Sequence, residues 1–175
     1  VSAIFGQVGF AMKKQAIPAL TYDELTPGDE WESPARTVTE ADVVAFAGLS
    51  GDFNPIHVDH EFARQHPFRK PVAHGLLGLA MASGLASNAP RVQTLAFVEI
   101  VEWKFLRPIA FGDTVRVLTR VEAVEPKARG RRGLVTWRRS LVNQNGETVQ
   151  EGLTRTLVQG AAGPSETDDA NPGNG

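Results

Sequence analysis

The second half of the chain is governed by a repeat of two. Phe97, Glu99, Val101, Trp103 and Phe105 alternate with Val98, Ile100, Glu102 and Lys104, and Val115, Val117, Thr119 and Val121 alternate with Arg116, Leu118, Arg120 and Glu122. That is the period of a strand. Leu134 to Val142 and Thr148 to Val158 continue it on either side of Asn143-Gln144-Asn145-Gly146, a hairpin turn signal. The first half reads differently. Thr39 stands where a helix N-cap belongs, with Glu40 and Asp42 in the first turn, where carboxylates suit the helix dipole. Val43, Phe46, Ala47 and Ser50 follow at helical spacing and Gly51 ends the element. Before it, Trp31 to Val38 reads as a short strand with an edge or a break at Pro34. After it, Asp59 to Gln65 reads as another short helical turn.

Beyond a loop containing Pro67 and Pro71, the stretch from His74 to Leu85 is apolar on every face. It predicts a helix buried on all sides. Early helices, a late meander of long strands and one enclosed helix define an α+β domain, an antiparallel β-sheet wrapped around a buried central helix. Residues 1–24, closed by the turn signal Thr26-Pro27-Gly28-Asp29, read as an N-terminal arm, residues 25–159 as a single domain. Residues 160–175, rich in Gly, Pro, Asn and acids, read as a disordered tail.

Bulk composition narrows the function. The 175 residues are 42% hydrophobic and 22% charged, ordinary for a globular protein. Lys plus Arg is 18 against 20 Asp plus Glu, a net charge of -2 that argues against a nucleic-acid partner. The chain has no cysteine, and so no disulfide, Cys-ligated zinc or thiol nucleophile. Its longest apolar run, Gly75 to Leu85, is well short of the roughly 20 residues that a membrane span needs. Val1 to Met12 makes a poor signal peptide, and Met12-Lys13-Lys14 reads as a natural start. A cytoplasmic protein is expected.

Candidate chemistry concentrates in Ser50-Gly51-Asp52-Phe53-Asn54-Pro55-Ile56-His57. Pro55 removes a backbone donor and restricts Asn54, while Gly51 permits a sharp exit from the helix. A carboxylate and an imidazole held on such a loop can bind one water between them and move protons at neutral pH. The plainer alternative has Asp52 capping a turn and His57 satisfying a carbonyl. Asn54-Pro55 favours the first reading, because it stiffens the loop more than a connector requires. His74-Gly75 opens the apolar helix, whose free N–H groups and partial positive charge could stabilise an oxyanion. Ser83, a hydroxyl in that helix, either bonds the carbonyl four residues back or orients Asp52.

The run from Phe46 to His57 resembles the signature of MaoC-like dehydratases and (R)-specific enoyl-CoA hydratases. His74-Gly75-Leu76-Leu77, with Ser83 beyond, resembles the start of their central hot-dog helix. Phe105-Leu106-Arg107-Pro108 and Gly112-Asp113-Thr114-Val115 resemble the strand-turn-strand that follows. The resemblance spans roughly residues 25–158. It implies a single hot-dog fold, a homodimer or higher homo-oligomer, and an acyl-thioester tunnel near the dimer interface. It further implies that Asp52 and His57 hold the water added across a trans-2-enoyl thioester, giving a (3R)-3-hydroxyacyl product. Gly75 N–H would bind the thioester oxygen, Ser83 would sit near Asp52, and Asn54 would keep the loop in shape. The substrate would be an acyl-CoA or acyl carrier protein thioester, and no cofactor is implied.

Several features compete with that picture or extend it. The histidines His57, His60, His66 and His74 invite a metal, and His57-Val58-Asp59-His60 resembles part of a binuclear zinc motif. Pro55 replaces that motif's upstream histidine and the spacing suits no single helix, so no metal is expected. Arg129, Arg131, Arg132, Arg138 and Arg139 are either a solvated hairpin or a dock for coenzyme A phosphates, with Arg131 and Arg132 as the candidates. Residues 1–24 and the hairpin tip Lys127 to Gly133 depart from shorter family members, and both could reshape the tunnel. A non-catalytic acyl-binding subunit and a hot-dog thioesterase are the alternative functions.

Overall fold

A computed structural model describes residues 18–162. Strands β1 (Glu30–Glu32) and β2 (Arg36–Thr37) are parted at Pro34, as its missing donor predicts. Helix α1 (Glu40–Ser50) is followed by the short α2 (Pro55–Val58) and α3 (His60–Gln65), then by α4 (Gly75–Ala86). Four long strands complete the chain: β3 (Thr94–Phe105), β4 (Thr114–Lys127), β5 (Arg132–Val142) and β6 (Thr148–Gln159). The sheet runs β1-β4-β5-β6-β3, with β2 also on β4, and every pairing is antiparallel.

The first turn of α1 is built as its sequence predicts. The Thr39 side chain accepts from Asp42 N–H, and the Asp42 carboxylate accepts from Thr39 N–H at 2.9 Å and from its hydroxyl at 2.7 Å. These Thr39 hydrogen bonds, with help from Arg36, hold the Asp42 carboxyl below its usual range. Its stabilising contribution is therefore present above the ordinary carboxylate pKa and is lost as pH falls through the lowered one. Thr39→Ala is expected to cost about 1 kcal/mol in a denaturant titration at neutral pH. The loss should shrink in strong acid, where Asp42 is protonated.

Two core clusters pack against the sheet. Leu77, Met81 and Ala82 of α4 pack with Val38, Val43, Val115, Val117 and Leu141. Tyr22, Leu25, Val121, Val135, Trp137 and Val158 form the second. The second also draws on residues that precede Leu25. Leu20 bridges Val92, and Tyr22 is buried with its hydroxyl donating to Gly130 O at 2.9 Å. A Cβ on Gly133 would lie 2.4 Å from the Tyr22 ring, so the hairpin tip can seat that ring only with glycine there. The described end of the arm and the hairpin thus pack on each other. Their few apolar residues follow no regular spacing, which hides the packing from periodicity. Residues 1–17 and the tail from 163 lie outside the described residues.

Helix α4 is not enclosed on every side, as its composition had predicted. Leu77, Gly78, Met81, Ala82 and Ala86 are buried, but Leu76 is 61% exposed and Ala80, Ser83 and Gly84 are exposed with it. Strand β3 is exposed on both faces at the sheet edge, with Leu95, Phe97, Val98, Ile100 and Val101 between 45 and 51% exposed. No helix among the described residues is long and apolar enough to cross a membrane.

Candidate active site

The loop after α1 is fixed residue by residue. Gly51 ends the helix in the left-handed region, at φ 78°, which glycine adopts without strain. Ser50 donates to Phe46 O at 2.7 Å and accepts from Asp52 N–H at 3.2 Å. Asn54 caps α2 by accepting from Ile56 N–H at 3.1 Å, and its own N–H donates to Asp52 Oδ1 at 3.2 Å. Pro55 takes the first helical position, where no N–H is needed. Asn54 thereby ties the Asp52 carboxylate to the start of α2, which carries His57.

The His57 ring is locked by its Nδ1, 2.7 Å from Val72 O. A carbonyl only accepts, so Nδ1 carries the proton and Nε2 presents its lone pair. That Nε2 lies 4.0 Å from Asp52 Oδ2. The gap is too long for a direct hydrogen bond and suits one water about 2.8 Å from each atom. The Asp52 side chain is 53% exposed while that of His57 is 13% exposed, so solvent reaches the pair from the carboxylate side.

His74, the N-cap of α4, enters the sequence reading only as a possible metal ligand and as the residue before Gly75, yet it joins both groups. It is 3% exposed, stacks on the His57 ring at 3.8 Å between centroids, and donates from Nε2 to the Asp52 backbone oxygen at 2.9 Å. The available signal was its position, since N-caps are ordinarily Ser, Thr, Asp or Asn. Asp52, His57 and His74 are the described residues whose metal-ligand atoms cluster within 4.8 Å. The nitrogen of His74 nearest the carboxylate holds a proton for Asp52 O, however, and His57 Nδ1 is committed to Val72. One imidazole lone pair therefore faces the carboxylate, an arrangement that fits proton transfer better than metal ligation. His60 lies elsewhere, 3.0 Å from Glu40, and His66 packs between Phe62 and Phe68.

Gly75 follows as the first residue of α4, where the N–H has no partner within the helix. A Cβ there would stand 3.0 Å from the Phe105 ring. His57, Gly75, Phe105, Ile109 and Gln150 line a common cleft of about 510 Å³, within the range of small-molecule sites.

Other sequence candidates are not brought to this cleft by one chain. Ser83 lies eight residues along α4 from Gly75, about 12 Å at the helical rise, on the exposed face. It is not among the partners of Asp52, and the hydroxyl that holds the loop is Ser50. Arg131 and Arg132 sit at the β4–β5 turn, where Gly133 pairs with Val158 and Val158 with Thr94. Gly75 is near Phe105, at the opposite end of β3. The other arginines are split between faces. Arg138 pairs with Glu122 at 2.7 Å, and Arg139 is buried beside Trp137, where burial pushes its guanidinium down to about 10.

A helix packed on an antiparallel sheet, with its N-terminus beside the loop that carries Asp52 and His57, defines a hot-dog protein of the dehydratase type. The family model of the MaoC-like domain matches residues 24–143, and the chain belongs to the MaoC-like dehydratase family. It is 32% identical over 127 residues to an (R)-specific enoyl-CoA hydratase of Rhodospirillum rubrum, covering 72% of this chain and 83% of the relative. It is 38% identical over 96 residues to Protein MaoC of Klebsiella aerogenes, covering 55% of this chain but only 29% of that longer protein. Among solved structures, a MaoC-like dehydratase from Rhodospirillum rubrum superposes with a TM-score of 0.74 at 31% identity, covering 81% of this chain and 98% of the other. A Mycobacterium tuberculosis protein described as a double hot-dog, 20% identical with a TM-score of 0.69, covers 90% of this chain and 52% of its own, and shares the fold.

Proposed function

We propose that this protein reversibly hydrates trans-2-enoyl thioesters to (3R)-3-hydroxyacyl thioesters. The reading rests on the Asp52 carboxylate and the free lone pair of His57 Nε2, 4.0 Å apart, with His57 lining the cleft that Gly75 shares. A water held between them loses a proton to the pair as its oxygen adds to the β-carbon. The same pair returns a proton to the α-carbon, and Gly75 N–H takes the enolate charge that develops on the thioester oxygen. The names of the relatives, hydratase and dehydratase, point to the same chemistry.

Purified protein is to be given crotonyl-CoA, then longer and branched enoyl-CoA thioesters. Loss of enoyl absorbance without free thiol, with a product oxidised by an R-specific dehydrogenase, is the expected result. Thiol release would identify a thioesterase instead, and binding without turnover across the panel would identify an acyl-binding subunit.

The catalytic unit in this reading is a dimer. Strand β3 offers a long unpaired edge with apolar side chains on both faces, and α4 also carries exposed apolar residues. Two copies joined edge to edge by a two-fold axis pair β3 antiparallel. That pairing would bring the basic hairpin of the second copy toward the Gly75 end, where Arg132 could meet the phosphates of the carrier. Ile100→Lys is expected to yield monomers in sedimentation. Arg132→Ala is expected to raise KM for enoyl-CoA at low salt while leaving kcat near wild type.

A further inference from the structure

Gln150 has a role in the cleft that nothing in its sequence context announces. It is 2% exposed, near the start of β6, with its side chain against the first turn of α4. Its Nε2 donates to Gly75 O at 3.0 Å, and its Oε1 accepts from Trp103 Nε1 at 3.0 Å. The orientation of this amide is forced. The indole N–H only donates and the backbone oxygen only accepts, so a flipped amide would oppose donor to donor and acceptor to acceptor. Gly78 makes room for it, since a Cβ there would lie 2.2 Å from Gln150 Nε2.

We infer that Gln150 is a positioning residue for the oxyanion donor, with Trp103 holding its amide and Gly78 clearing its path. The inference rests on the reading of Gly75 N–H given above. Gly75 is gripped from two sides. The residue before it, His74, is bonded to the Asp52 loop, and its own carbonyl is bonded to the sheet. The donor and the acid/base pair are thereby set at a fixed separation, as preorganised stabilisation of a developing charge requires.

The test uses Gln150→Leu, which fills similar space without polar atoms, and Gln150→Glu. Turnover of crotonyl-CoA is measured beside the absorbance of a bound push–pull thioester, 4-(dimethylamino)cinnamoyl-CoA, which reddens as its carbonyl is polarised. Gln150→Leu is expected to lower kcat about tenfold or more with KM within about twofold, and to bind the dye with a smaller red shift. Gln150→Glu should be impaired at neutral pH, where two acceptors face each other. It should approach wild type as pH falls and the protonated acid donates to Gly75 O. Wild-type kcat and red shift in Gln150→Leu would overturn the inference while leaving the role of Gly75 intact. Absence of turnover and red shift in the wild type would instead defeat the reading of Gly75. If Gln150→Leu does not fold, Trp103→Phe frees the amide with its packing retained, and the same two readouts decide.

Discussion

Asp52→Asn and His57→Asn are each expected to lower turnover of an enoyl thioester by about 10²-fold or more, the size of a lost general acid or base. Both substitutions are chosen to spare the fold. The amide oxygen introduced at position 52 can still accept from Asn54 N–H, as Asp52 Oδ1 does, but the amide has no charge to draw a proton from water. At position 57 an asparagine amide can donate to Val72 O in place of Nδ1, yet offers no lone pair of comparable basicity. The double variant should be little worse than either single one, because both groups act on one water. Turnover is followed by enoyl absorbance and folding by thermal melts. Near-wild-type rates in both well-folded single variants would remove the pair from the mechanism.

Gly75→Val is the second large effect. A single Cβ already stands 3.0 Å from the Phe105 ring, and the two methyl groups beyond it close the approach to the first N–H of α4. A fall in kcat of about 10²-fold is expected, comparable to the loss of one oxyanion donor. Gly48→Ala, on the exposed side of α1, provides the contrast. A Cβ there meets nothing within 4 Å, so kcat should be unchanged. Pairing Gly75→Val with Phe105→Ala separates two causes of damage. Restored turnover would trace the defect to crowding of the ring, whereas persistent loss would trace it to the blocked N–H.

Much of this was legible in the sequence because it is local. Thr39 and Asp42 cap α1 within one turn, Gly51 ends it, and Asn54-Pro55 reverses the chain into α2. The four long strands follow from a repeat of two that any window displays. The contacts that organise the cleft are remote instead. Gln150 meets Trp103 across 47 residues and Gly75 across 75, and neither spacing leaves a pattern. His74 is legible as the residue that opens a helix, while the ring that stacks on His57 depends on how the loop folds back. Apolar residues on every face of α4 and β3 signalled burial without saying by what. Hydrophobicity alone does not distinguish a neighbour in the same chain from one in another. Ser83 and Arg131 are candidates by residue type as well as by resemblance, and position within one chain does not bring them to the cleft.

The seating of Tyr22 over Gly133 sets a limit on how far the chain can be trimmed for expression. Versions beginning at Leu25 would leave Trp137 and Val158 under an uncovered hollow and should melt earlier or aggregate. Versions beginning at Pro18 keep the plug in place.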